Sequence, residues 1–310
     1  HPHAEVIDAQ GGFVFPGVID DQVHFREPGL THKGCIASES RAAVAGGTTS
    51  FMEQPNTNPQ TVTLEALEQK MAMGAASSVA NYSFLLGGTN DNLEEIKRLD
   101  PRATSGIKLF LGSSTGNMLV DDPQVIEKIF RATPLVISAH CEDEATIRAQ
   151  MAWAQETYGD QITPELHPVI RNAEACYLSS SRAIALARAT GARLHVFHLS
   201  TGIEMDLLAP GPLKGKQITA EVCIHHLWFS DEDYATKGNL IKWNPAVKSS
   251  ADRDALWAGL LEDRIDVIAT DHAPHTWEEK QKPYAQAPSG GPLVQHSLVA
   301  MLDFVERGKI

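Results

Sequence analysis

The chain has 310 residues, 43% hydrophobic and 21% charged, enough apolar matter for one large domain or two ordinary ones. Its 26 Lys and Arg face 39 Asp and Glu, a formal charge of −13 with no basic block, which argues against nucleic acid or an anionic membrane as partner. No apolar run approaches the roughly 18 residues of a membrane span, and the start HPHAEVIDAQ lacks a signal-peptide pattern, so a cytoplasmic protein is expected.

In chain order, the first strand-like run is FVFPGVID (13–20), followed by the helical ASESRAAVAGG (37–47). Then come strand TTSFME (48–53), helix TLEALEQKMAMG (63–74), strand NYSFLL (81–86), helix DNLEEIKRL (91–99) and strand SGIKLFL (105–111). Helix DPQVIEKIF (122–130), strand PLVISAH (134–140), helix LSSSRAIALARATG (178–191), and strands RLHVFHL (193–199) and ITAEV (218–222) continue the pattern. It closes with helix ADRDALWAGLLED (251–263), strand DVIATD (266–271) and a final helix within LVQHSLVAMLDFVERGKI (293–310). Apolar residues recur at three- and four-residue spacing in the helical stretches, and Gly and Pro cluster in the connections EQPNTNPQ and QAPSGGP. Eight strands, each followed by helix or loop, predict an α/β fold, a parallel (β/α)8 barrel occupying residues 14–310. A doubly wound open sheet is the alternative, but its Gly-rich phosphate turn is missing. Cys35, Cys141, Cys176 and Cys223 form no CxxC pair and are expected to be buried free thiols.

Barrel enzymes work at the C-terminal ends of their strands. His24 follows the first run, Lys108 sits in SGIKLFL, and His140, His198 and Asp271 stand at or near the ends of PLVISAH, RLHVFHL and DVIATD. Imidazoles and a carboxylate converging on one mouth are a ligand set for zinc or a similar divalent ion that activates water. Any one histidine alone is more simply a hydrogen-bonded structural residue, the reading kept for His32, His195, His225, His226 and His272. Lys108 as an ammonium would form a salt bridge; as a carbamate it would become an anion able to bridge two metals. Strand alternation sets Asp20, Gln22 and His24 on one face and Asp21 and Val23 on the other.

The motifs FPGVIDDQVHFREPG, AAVAGGTTSFMEQPNTNP, SGIKLFLGSSTGN, SAHCED, VFHLST, ITAEVCIHHL, KWNPAVKSSADRDAL and IATDHAPH followed by APSGG make the chain resemble the dihydroorotases of the amidohydrolase superfamily. The resemblance runs from about residue 6 to the end. It implies a metal-dependent hydrolase barrel that reversibly hydrolyses dihydroorotate to N-carbamoyl-aspartate in pyrimidine biosynthesis. Residue by residue it makes His24, Lys108, His140, His198 and Asp271 the metal ligands, with Lys108 carboxylated and Asp271 the proton carrier. The family's first strand carries His-x-His, whereas here Gln22 takes the first place, so one or two zinc ions per chain are expected. Arg26, Asn56 and His275 are assigned to the substrate carboxylate, which all three can reach as hydrogen-bond donors. Structural alternatives are pairing of Arg26 with Glu27 or Glu53, a turn role for Asn56 and a loop cap for His275. Asn244 and the backbone around Ala287 and Pro288 are further substrate contacts by resemblance, and Gly290 and Gly291 suit close approach to a ligand. Allantoinases usually have Asn where Arg26 stands and dihydropyrimidinases lack the Arg, so dihydroorotate is favoured. The other readings are an allantoinase- or dihydropyrimidinase-type enzyme, or a catalytically silent homologue that partners aspartate carbamoyltransferase. Homodimerisation stays open. Family members carry a small β-sandwich built from both chain ends; here residues 1–13 are expected to be its remnant, and the barrel looks truncated at its C-terminus.

Overall fold

The computed structural model of the chain describes residues 5–112 and 118–310. Residues 113–117 of the SGIKLFLGSSTGN motif and 1–4 of the expected remnant lie outside the described residues.

Strands β1 (Val18–Val23), β2 (Thr48–Glu53) and β3 (Asn81–Phe84) pair in parallel in that order. A second parallel run follows chain order through β4 (Leu86–Gly87), β5 (Ile107–Phe110), β6 (Val136–His140), β7 (Arg193–Val196), β8 (Ile218–Cys223) and β9 (Val267–Ala269). β3 and β4 are one barrel strand interrupted at Leu85, whose N–H donates to the Glu53 carbonyl at 3.0 Å. The ring closes between the ends of β1 and β9, where Val23 bridges His272 and the His24 N–H donates to the His272 carbonyl at 2.6 Å. The architecture is the expected α/β barrel.

Alternation along the strands separates two jobs. Ile107 and Leu109 of β5, and Leu194 and Val196 of β7, join the main apolar cluster with helix residues such as Ile129 and Ala183, whereas Lys108 and Phe110 line the barrel mouth. Helices cover the outside where the 3.6-residue pattern places them, among them Ile36–Ala45, Leu64–Ser77, Pro123–Ala132, Ala173–Thr190, Ser250–Leu261 and Ser297–Glu306. Side chains of Thr63, Asp122, Asn172 and Ser249 cap four of these by accepting first-turn N–H groups.

Three expectations need correction. The first strand begins at Val18, not Phe13: Pro16 cannot donate to a ladder, and Phe13, Val14 and Phe15 stand exposed. The helix Glu144–Tyr158 has no counterpart in the sequence reading, because it buries only Ile147 and Ala154 fully and so carries too sparse an apolar stripe. Cys35 is half-buried, while Cys141, Cys176 and Cys223 are buried thiols as expected. Among the described residues no helix is long and apolar enough to cross a membrane.

Candidate functional site

The strand ends bring Gln22, His24, Lys108, His140, His198 and Asp271 into one polar mouth. Two pairs of facing atoms define it. The His24 Nδ1–H donates to Asn56 Oδ1 at 2.8 Å, which leaves the Nε2 lone pair 3.1 Å from Asp271 Oδ1. Across the mouth, His140 Nδ1 and His198 Nε2 lie 3.0 Å apart. Burial lowers the pKa of all three imidazoles, so each is neutral with a lone pair to offer. A lone pair facing a carboxylate oxygen, and two ring nitrogens in contact, are arrangements that a shared cation stabilises. His198 Nδ1 is buried and makes no hydrogen bond. The donor set therefore fits a divalent metal.

His140 is held from behind. Its Nε2 lies 2.9 Å from Glu142 Oε2, and Glu142 also contacts the Arg171 guanidinium. Burial would raise the Glu142 carboxyl, but Arg171 and His140 hold it down to about 2. A carboxylate behind a ligating imidazole fixes its orientation and raises its basicity. Neither Glu142 nor Arg171 was singled out from sequence; the only signal was a carboxylate two residues after His140 in SAHCED.

Lys108 is fully buried, with its Nζ 3.9 Å from the Phe197 ring centroid and 4.8 Å from that of Phe110. Burial pushes it down to about 7, against the opposing pull of Glu221 and Asp271. No carboxylate within ion-pair distance of Lys108 occurs among the described residues, so the simple salt-bridge alternative does not hold.

Arg26, His198 and Asp271 share a backbone feature: φ of +70°, +40° and +45°, a left-handed conformation that costs a non-glycine residue about 1 kcal/mol or more. Such strain collects at functional sites. Here it lets side chains at strand ends turn across the mouth.

Arg26 is buried, its Nε donating to the Pro274 carbonyl at 3.0 Å and its Nη2 3.0 Å from His275 Nε2. Its two proposed structural partners are otherwise engaged: Glu27 accepts the Ile36 N–H, and Glu53 pairs with Lys70. Arg26, Asn56 and His275 line one pocket beside the mouth with Lys33, a residue the sequence reading missed. Lys33 Nζ lies 3.0 Å from His275 Nδ1 and 3.1 Å from Glu279. His275 Nε2 also lies 3.0 Å from the Ser289 carbonyl oxygen. Burial, then Arg26 and Lys33, push His275 down to about 3.

Asn244 lines the mouth and its Oδ1 is buried without a hydrogen bond. Ala287 itself does not line it, since its carbonyl accepts from Lys242 Nζ at 2.6 Å; the same loop presents Ser289 and Gly290 to the mouth and Pro288 to the pocket of Arg26, Asn56 and His275. The glycines of this loop serve packing against the protein itself. A Cβ on Gly290, at φ +128°, would lie 2.5 Å from the Ala273 carbonyl oxygen, and one on Gly291 would strike the Trp243 ring.

Alternation along β1 holds for Gln22 and His24, which both line the mouth, but not for Asp20. The register of β1 with β2 is irregular between Asp20 and Val23, so Gln22 lines the mouth while Asp21 contacts His195, and Asp20 accepts from the Thr270 N–H and hydroxyl. Gln22 Oε1 lies 3.6 Å from the Cys223 sulfur. His272 is structural as expected, held by Glu39 at 2.7 Å and by the Leu293 and Val294 N–H groups.

A family model described as Dihydro-orotase-like matches residues 11–203. The chain is 36% identical over 309 residues to a dihydroorotase of Halobacterium salinarum, covering 98% of this chain and 70% of that protein. It is 35% identical to an allantoinase of Deinococcus radiodurans, covering 88% and 62%. Among solved structures, the L-hydantoinase (dihydropyrimidinase) from Arthrobacter aurescens superposes with a TM-score of 0.92 at 28% identity, over 98% of this chain and 69% of that one. The chain thus spans about two thirds of the length of these relatives.

Proposed function

The chain belongs to the dihydroorotase-like family of amidohydrolases, and from that membership we propose that it reversibly hydrolyses the ring amide of dihydroorotate to N-carbamoyl-aspartate, a step of pyrimidine biosynthesis. The observation that carries the choice of substrate is Arg26, a buried guanidinium on left-handed backbone two residues from His24. A cation placed there suits a ring that bears a carboxylate, and neither allantoin nor dihydrouracil offers one in that place.

His24, Lys108, His140, His198 and Asp271 would hold one or two zinc ions, with Gln22 leaving the His24 and Asp271 half the weaker. Bound there, zinc supplies Lewis acidity toward the ring carbonyl and a more acidic water. Lys108, pushed down to about 7 by burial and so neutral in a substantial fraction near pH 7, can add to carbon dioxide: an N–C bond forms, a proton leaves, and the side chain becomes an anionic carbamate. Asp271 accepts the proton of the attacking water and hands it to the ring nitrogen as the C–N bond breaks. Arg26 holds the substrate carboxylate and so places the carbonyl over the mouth. Asn56 keeps His24 in the tautomer whose Nε2 faces Asp271. His275 holds its place beside Arg26 through Lys33 and Ser289, and Asn244 offers an unpaired amide oxygen to the ring. Residues 14–310 form the catalytic barrel in this reading, and the setting is cytoplasmic.

The test is turnover of dihydroorotate, allantoin and dihydrouracil by the zinc-supplemented chain, with bound metal counted on the same sample. Turnover of dihydroorotate alone, abolished by Asp271→Ala, is the expected result. Preference for allantoin would move the assignment to that neighbouring activity, and bound metal without any turnover would favour a silent homologue.

A further inference from the structure

Beside the mouth, where β8 passes into the short helix Ile224–Trp228, three side chains outside the proposed catalytic set stand together: Cys223, His225 and His226. One ligand atom of each, a sulfur and two ring nitrogens, lies within 4.8 Å of the others, and all three residues are buried. Burying a polar atom without a partner is costly, yet Nδ1 of His226 makes no hydrogen bond, and the His225 ring has only the Thr270 backbone as a polar partner. His226 is the more informative. Its Nε2 lies 3.2 Å from the Pro245 carbonyl, so that nitrogen carries the proton and Nδ1 keeps a bare lone pair. A carbonyl behind one ring nitrogen is also the usual way a ligating imidazole is oriented. His225 is fixed by its stack on Trp243, with ring centroids 4.3 Å apart at 14°, and its ring centroid lies 4.1 Å from that of His226. The Cys223 thiol donates a weak hydrogen bond to Gln22 Oε1 at 3.6 Å, with Glu221 Oε1 at 3.9 Å, contacts that a metal–sulfur bond would replace.

We propose that Cys223, His225 and His226 form a second metal site, a thiolate and two imidazoles that take zinc or a similar borderline-soft divalent ion. On binding, the metal–sulfur bond replaces the S–H bond and the thiol proton is released, while each neutral imidazole donates a lone pair without losing a proton. The site adjoins the mouth through Gln22 but shares no ligand with the proposed catalytic set, which contains no sulfur.

That difference supplies the experiment. The full chain is loaded with Co2+ in place of zinc, and its near-ultraviolet spectrum is read for sulfur-to-cobalt charge transfer alongside the metal count. The expected result is an intense charge-transfer band that is lost, with about one equivalent of metal, in Cys223→Ser. The band should persist in Lys108→Ala, which removes a candidate ligand of the catalytic set and none of the second site, so failure here and failure of the proposed activity are distinguishable. His226→Gln, expected to shift or abolish the band, serves as the second variant should Cys223→Ser fold poorly. Absence of the band in the unsubstituted chain overturns the proposal, as does a band unchanged by both substitutions, which would come from another of the thiols.

Discussion

Position 22 shows how much rests on single side chains at this mouth. Gln22 lines the cavity with His24, so Gln22→His should tighten metal binding by about tenfold, roughly 1.4 kcal/mol, in a metal titration. Unchanged metal affinity and rate would contradict a role for position 22 in the site. Arg26→Lys should lower kcat/KM for dihydroorotate by about 10- to 100-fold, because an ammonium cannot reproduce the planar fork that meets a carboxylate. His195 gives a test through pH. Burial disfavours its charge, but Asp21 at 3.3 Å and Glu221 at 3.2 Å raise it to about 10. Its folded value lies above the ordinary 6.5, so its stabilisation is complete below pH 6.5 and is lost as pH rises toward 10. Urea midpoints measured across that window should fall with pH, and Asp21→Asn should flatten the slope and cost about 2 kcal/mol at pH 6. The candidate ligands were legible because an imidazole or carboxylate at a strand end is chemically conspicuous. Lys33, Glu142 and Arg171 were not, since each matters only through a partner brought to it by folding, Lys33 through the distant His275 and Arg171 through Glu142.

At the scale of elements, the buried pair Lys70–Glu53, 2.7 Å apart, fastens helix Leu64–Ser77 to the end of β2. Glu53 also accepts the Phe25 N–H at 3.0 Å, and so holds the chain between His24 and Arg26. Lys70→Met should therefore cost about 3–5 kcal/mol in a denaturant titration by leaving a buried carboxylate without its partner. Adding Glu53→Gln should recover part of that loss, the mark of a direct coupling between the two. The periodicity of Leu64–Ser77 and its Thr63 cap were readable in the sequence, but the pair was not, because a lysine on a helix reads as a solvated residue until its helix is docked. The irregular register of β1 escaped for a related reason. A bulge is a property of two strands together, and it is what lets Gln22 and Asp21 both find partners inside the barrel.

Across the whole molecule, the candidate ligands come from the ends of β1, β5, β6, β7 and β9, and the barrel closes between β1 and β9 through Val23 and His272. A metal held by those residues ties the closure to the rest of the ring. Zinc at about 100 times its dissociation constant should add about 2.7 kcal/mol, and a chelator should lower the Tm by about 5 °C, restored by adding zinc back. An unchanged Tm would mean that the mouth does not hold metal in the folded chain.

What the sequence by itself determined was the order of the strands and of the helices with a dense apolar stripe, and the chemical type of each strand-end residue, because hydrophobic periodicity and side-chain identity are local properties. Only the tertiary structure decided which of those residues face one another: that Asn56 holds His24, that Lys33 sets His275, that Ala287 turns to Lys242, and that Cys223, His225 and His226 stand together with His226 Nδ1 unpartnered. Contacts between groups tens or hundreds of residues apart depend on strand register, backbone φ and loop path, and closing the barrel sets all three at once.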